Sequence, residues 1–365
     1  MPETGAKPNV PRLQRAILRA IRAFSTPLLP DDYLELINPL WSTRELRGRI
    51  ERIDQVTADA GTVLIKPGYR WEGHRAGQYC RIGVDIKGVR HWRAYSLTSD
   101  PDRPDGCISI TPKLVEGGVV SPYLVRHGRP GAIVSLGGVE GDFVLPDPVP
   151  DRLLFVSAGS GITPIMSMLR HLAHCDELHD AVLLHSARTP EDVIFGGDLR
   201  QLEQRHEGFR VHEQHTKSMG RLAPEHLDEL CPDWREREAF LSGPGAMLDA
   251  LTEHWEREGR LEKLHMERFQ PKLEAEPGEG GTITFVKSGC QVETDGTKPI
   301  LVCGEEAGLE LPFGCREGIC HTCVGTLRKG RVRDLRNGSV CGEEGQPTRT
   351  CINARCALSR SGSTA

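Results

Sequence analysis

The sequence predicts a multidomain chain: a small antiparallel β-barrel, a parallel-sheet α/β domain, and a compact cysteine-bearing module. Three observations predict this order. Short alternating apolar runs fill residues 41–148, strand and helix patterns then alternate over 149–270, and eight of the twelve cysteines lie between Cys290 and Cys356. A length of 365 residues also exceeds what one hydrophobic core usually holds.

Composition narrows the classes. Hydrophobic residues make up 38% and charged residues 27%, a globular balance. No run of 18 apolar residues occurs, so no membrane-spanning helix is expected. A secretory h-region is absent, which predicts a cytoplasmic protein. The net charge of −5, without a basic block, argues against nucleic acid as a partner.

Residues 1–40 read as an N-terminal helical segment. Leu13, Ile17, Ala20, Ile21 and Phe24 fall at helical spacing, with Arg12, Arg15, Arg19 and Arg22 opposite, and Pro27 and Pro30 end the helix. This basic amphipathic stretch, 11–24, either packs on the chain's own barrel or docks on an anionic membrane or a partner.

In the barrel, Thr62–Lys66, Gln78–Val84, Ile108–Lys113 and Ala132–Leu136 read as strands bounded by turn residues. Arg93-Ala94-Tyr95-Ser96-Leu97-Thr98-Ser99 places a cation, an aromatic ring and a hydroxyl within four residues. Such a set can neutralise a phosphate, stack on a flavin and bond its ring nitrogens. On the residues alone, Tyr95 is equally a core aromatic.

In the α/β part, strands are expected at Leu153–Ser157, Ala181–Ser186, Phe209–His215 and Ala239–Ser242, with helices at 164–173, 190–206, 224–231 and 245–258. The first strand runs into Gly159-Ser160-Gly161-Ile162-Thr163-Pro164. Its glycines permit a tight turn and close approach to phosphates, Thr163 can cap the helix, and Pro164 suits the first turn. The pattern is G-x-G-x-x-P rather than the dinucleotide fingerprint G-x-G-x-x-G. At the next strand end, Ser186 and Arg188 can hold a ribose 2′-phosphate, which favours NADPH over NADH. Glu191 and Asp192, after a helix cap at Thr189, complicate that site.

A Pro/Glu/Gly-rich linker is expected at 271–281, and 282–365 form the last module. Cys315, Cys320 and Cys323 stand as C-x4-C-x2-C, and Cys351 follows. This is the spacing of plant-type [2Fe–2S] ferredoxins, not the paired doublets of zinc sites. Cys341 and Cys356 rival Cys351 as fourth ligand; Cys351, after Thr-Arg-Thr, fits the spacing best.

On these motifs, residues 45–365 resemble the ferredoxin–NADP reductase superfamily: a flavin barrel, a nicotinamide domain, then a β-grasp ferredoxin. The resemblance implies FAD, with Arg93 at the pyrophosphate and Tyr95 and Ser96 at the isoalloxazine ring. Gly118-Val119-Val120-Ser121 looks like the family's G-x-x-S element, implying contacts from Gly118, Val120 and Ser121 to the FAD diphosphate. Ser242-Gly243-Pro244 stands where the family has C-G-P, so a serine hydroxyl replaces the thiol near the carboxamide. Glu267 and Phe269 resemble its closing E-x-F strand.

Two segments, Pro30-Asp31-Asp32-Tyr33-Leu34 to Pro39-Leu40-Trp41 and His91-Trp92-Arg93-Ala94-Tyr95-Ser96-Leu97, look similar to electron-transfer partners of stearoyl- and acyl-CoA desaturases. The expected chemistry is hydride transfer from NADPH to the flavin at the cleft between barrel and α/β domain, with Tyr95, Ser96, Thr163, Ser242 and Glu267 around it. Single electrons then pass through the cluster to an external acceptor. That acceptor is expected to be a membrane di-iron desaturase. A soluble ring hydroxylase or cytochrome P450 is the alternative, and a redox sensor without nicotinamide turnover is the alternative of another class.

Overall fold

The computed structural model describes residues 30–115, 117–269, 280–309, 311, 323–335, 339–342, 348–351, 355–357 and 363–364. The basic stretch 11–24 lies outside them. Pro30 opens α1 (Pro30–Ile37), a position where its missing N–H costs nothing. A 3₁₀ turn follows at Pro39–Trp41, capped by Asn38, whose Oδ1 accepts the Leu40 N–H at 3.0 Å.

The barrel has six antiparallel strands: β1 (Arg47–Thr57), β2 (Ala60–Pro67), β3 (Tyr79–Ile86), β4 (Val89–Ser96), β5 (Ile108–Ile110) and β6 (Ile133–Glu140). Their order is β4-β3-β6-β1-β2-β5, and a bridge between Leu97 and Ile110 joins the two ends into a closed barrel. Closure removes exposed sheet edges. Ile50, Ile65, Ile82, Leu97 and Ile110 fill the interior, none more than 1% exposed.

The α/β domain carries five parallel strands in the order β11-β10-β7-β8-β9. These are β7 (Leu153–Ala158), β8 (Ala181–Ala187), β9 (Phe209–His215), β10 (Glu238–Ser242) and β11 (Leu264–Glu267). Three helices, α2 (Ile162–His174), α3 (Gly196–Arg205) and α4 (Gly245–Arg257), cover both faces. Phe155 packs with Ile165 and Leu199 on one face; Leu154 and Val156 pack with Leu251 and Trp255 on the other. Both faces being covered explains why β7 and β8 read as continuous apolar runs. The helix expected at 190–206 is instead a 3₁₀ turn, Pro190–Asp192, then α3, because Phe195 takes a left-handed conformation (φ 65°) between them. That expected at 224–231 is likewise split, into Pro224–His226 and Leu227–Leu230.

The strand order reverses beside β7, whose neighbours are β10 and β8. In open α/β sheets the crevice at such a reversal, outside the carboxyl ends of the strands, is where ligands bind.

The last module is an α+β ferredoxin domain. It begins with β12 (Gly281–Phe285), one residue inside the expected linker, followed by β13 (Cys290–Thr294) and α5 (Ile300–Glu306). Then come β14 (Val324–Leu327), β15 (Val332–Asp334), β16 (Val340–Cys341), β17 (Thr348–Cys351), β18 (Arg355–Ala357) and β19 (Ser363–Thr364). Ile283, Phe285, Ile300, Leu327 and Val332 form its core.

Candidate functional site

Two cavities open at the reversal point. The first, about 760 Å³, lies between barrel and α/β domain. Tyr95 and Ser96 line it from the end of β4, Ser160 and Thr163 from the turn after β7, and Glu267 and Phe269 from the end of β11. The second, about 660 Å³, is lined by Gly159, Ser186, Arg188 and Pro244. Lys113 borders both.

The turn after β7 depends on glycine at two positions. Gly159 has φ +55°, and a Cβ there would meet nothing within 4 Å, so the backbone faces open space. At Gly161 a Cβ would sit 2.1 Å from the Ser242 carbonyl oxygen, so this turn rests directly on the end of β10. The helix begins at Ile162, one residue before the threonine expected to cap it. Thr163 is inside α2, and its hydroxyl donates to the Ser160 carbonyl at 2.9 Å, shaping the turn rather than capping. Gly161 and Pro164 are buried beneath that turn and line neither cavity.

Glu267 is the distinctive group of the first cavity. Its Oε2 is buried without a hydrogen-bond partner, and burial pushes its pKa up to about 8, so the side chain is largely a neutral acid at pH 7. Across the cavity, Tyr79 donates to Glu140 at 3.2 Å, and burial together with that carboxylate pushes its pKa up to about 12. Burial also raises the Tyr95 phenol. Ser242 pairs in register with Glu267; its Oγ is covered and unpartnered, and neither it nor Gly243 lines a cavity.

The second cavity is built from paired charges. Arg188 lies 3.5 Å from Asp59 of the barrel and 3.3 Å from Asp192, while Lys113 lies 3.3 Å from Asp59. Thr189 caps nothing with its side chain and donates instead to Asp192 at 3.1 Å. Beneath this floor, Ser157 and His185 Nδ1 are paired at 2.8 Å, and burial lowers the imidazole to about 4, keeping it neutral.

Other residues expected at the site are not among those lining the two cavities, though their neighbours Ala94 and Val115 line the first. Arg93 donates to the Trp92 carbonyl at 2.7 Å, and Leu97 is a core residue of the barrel. Val120 and Ser121 are buried in the helical turn Val120–Pro122, and Ser121 Oγ accepts the Val115 N–H at 3.3 Å, holding Gly118 in the same tight loop. The sequence reading missed Tyr79, Lys113, Asp59 and Arg221, which line the cavities from distant segments. Only the polar ends of their strands and loops hinted at them.

Of the cysteines, Cys315 and Cys320 lie outside the described residues. Cys323 is 1% exposed and immediately precedes β14. In the β14–β17 pairing, Cys351 stands opposite Val324, one residue from Cys323. Cys341 and Cys356 stand in another small sheet, opposite Val332 and Arg333.

Three family models match in this order: an oxidoreductase FAD-binding domain over residues 52–145, an oxidoreductase NAD-binding domain over 155–253, and a 2Fe-2S iron-sulfur cluster binding domain over 284–354. An NADPH oxidoreductase of Mycobacterium tuberculosis is 46% identical over 341 residues, covering 92% of this chain and 90% of its own. A glycine betaine monooxygenase reductase subunit of Pseudomonas aeruginosa is 30% identical over 298 residues, covering 74% and 81%. Among solved structures, phthalate dioxygenase reductase superposes with a TM-score of 0.57 at 21% identity, over 87% of this chain and 96% of that one.

Proposed function

Because this chain belongs to the ferredoxin–NADP reductase superfamily, among the members that carry a 2Fe-2S domain, we propose that it is the reductase component of an oxygenase system. It is an NAD(P)H-dependent oxidoreductase that moves electrons through FAD and a [2Fe–2S] cluster. When bound, the nicotinamide, flavin and cluster together would supply the conversion of paired electrons into single ones.

The residues present fit those groups. The unpartnered Glu267 Oε2 and the open space at Gly159 are features a bound ligand would satisfy. Tyr95 and Ser96 hold the flavin ring in the first cavity, and Glu267 holds a proton beside it. The backbone at Gly159 receives the dinucleotide phosphates at the N-terminus of α2. Arg188, with Ser186 and Arg221 in the second cavity, binds the 2′-phosphate and selects NADPH. Cys315, Cys320, Cys323 and Cys351 hold the cluster; the register of Cys351 beside Cys323 supports it over Cys341 and Cys356.

The single observation that carries the oxygenase reading is the 30% identical relative named as a monooxygenase reductase subunit. A second reading, a membrane acyl-CoA desaturase as acceptor, is favoured by α1 and the turn after it. There Leu36 and Ile37 are 83% and 72% exposed, with Tyr33 and Trp41 beside them, an apolar face suited to a peripheral membrane contact.

The test supplies the loaded protein and NADPH side by side to purified oxygenase components and to desaturase-containing membranes. Product formation with an oxygenase and none with a desaturase is the expected result. The reverse, lost on deleting residues 1–26, establishes the second reading.

A further inference from the structure

On the flank of α2 away from Glu267, a second group of polar side chains converges. The loop from Leu97 to Cys107, which leaves the barrel directly after the Tyr95–Ser96 strand, is held on α2: Ser167 donates to the Ser99 carbonyl at 2.7 Å, and Arg170 to that of Thr98. Next along, His171 Nδ1 stands 3.2 Å from Asp100 Oδ1 and 3.6 Å from Asp102 Oδ2. Donor atoms of all three lie within 4.8 Å of one another. His174, one turn further along the same helix face, pairs with the other oxygen of Asp100.

We propose that Asp100, Asp102 and His171 form a binding site for a divalent transition metal, zinc by preference, that bridges the barrel to the first helix of the α/β domain. Tetrahedral zinc with bonds of about 2.0–2.1 Å sets its ligands about 3.3 Å apart, close to the two separations here. An imidazole nitrogen with two carboxylates in a small set suits zinc better than calcium or magnesium, which take more oxygens or keep their waters. His174 fixes Asp100 from outside, the supporting role usual around metal ligands.

A second observation points the same way. Beside the group is a cavity of about 530 Å³ lined by Asp102, His171, Cys175 and the half-buried His74. The cavity supplies the open coordination position, for water or a further donor. None of these residues belongs to the electron-transfer site, so the metal site stands or falls separately from it.

The test is equilibrium dialysis of the FAD- and cluster-loaded protein against zinc, after chelation of adventitious metal, for wild type, Asp102→Asn and His171→Gln. Wild type should retain one zinc per chain more than either variant, with binding about 100-fold weaker in the variants. Its thermal midpoint should rise with zinc while theirs does not. Asp102 is 66% exposed, so Asp102→Asn keeps the fold and carries the test if His171→Gln does not. Equal zinc content in wild type and Asp102→Asn overturns the proposal, which leaves the His–Asp contacts as ion pairs.

Discussion

The two cavities at the head of the parallel sheet differ in how their polar groups are satisfied. In the first, Glu267 Oε2 has no partner and its carboxyl is held neutral. In the second, Arg188, Lys113, Asp59 and Asp192 already satisfy one another. The first is therefore organised before its ligand arrives, and strain is stored there as desolvation. On the proposed reading, in which Arg188 takes the 2′-phosphate, the second must exchange a carboxylate for a phosphate, so part of the binding free energy is spent on breaking ion pairs. Ring placement should thus be rigid, and nucleotide choice readily tuned.

The largest effect, loss of both stability and activity, is expected at Gly161, beneath the turn between the two cavities. Gly161→Ala places a Cβ against the Ser242 main chain, which cannot move without displacing β10. It should cost about 3 kcal/mol or more in denaturant unfolding and abolish NADPH oxidation. A variant with wild-type stability would break the comparison, since the two strand ends would not then be locked together.

Next is the pH dependence of the first cavity. The Glu267 pKa rises from 4.5 to about 8 on folding, so its neutral form favours the folded state. That contribution is complete below about pH 4.5 and is lost as pH rises through about 8. Glu267→Gln stays neutral, so at pH 9 it should exceed wild type in stability by as much as about 4 kcal/mol, and by much less at pH 5. Thermal unfolding at the two pH values measures this.

The second cavity should respond in substrate preference. Arg188→Ala should lower kcat/KM for NADPH by about 10- to 100-fold and leave NADH nearly unchanged. The smallest effect is expected from Asp59→Asn, which frees Arg188 and Lys113 from a shared carboxylate. It should lower the KM for NADPH by about 2- to 5-fold. An increase instead would mean that Asp59 orients Arg188 rather than competing with the phosphate.

What could be read in the sequence follows the same division between local and distant. The run Leu153–Ser157 and the glycines after it are contiguous, so strand, turn and helix were legible together. The C-x4-C-x2-C spacing was legible for the same reason. Strand β1 escaped, because its register shifts between Ile50 and Arg52, so Ile50 and Ile53 break the alternation of two. Its charges also pair with their own neighbours, Arg49 with Glu51 and Arg52 with Asp54. Arg188 was legible as a strand-end cation, but its partner Asp59 lies 129 residues away in sequence, on the β1–β2 turn. The position of Glu267 could be suspected from E-x-F, whereas its neutrality comes from burial between two domains, which no local pattern encodes.

Anaerobic titration of the loaded protein with NADPH, followed by absorption and paramagnetic resonance, tests the relay most directly. Loss of the flavin band should be accompanied by the signal of a reduced [2Fe–2S] cluster. Flavin bleaching with no cluster signal, at any NADPH concentration, would contradict it.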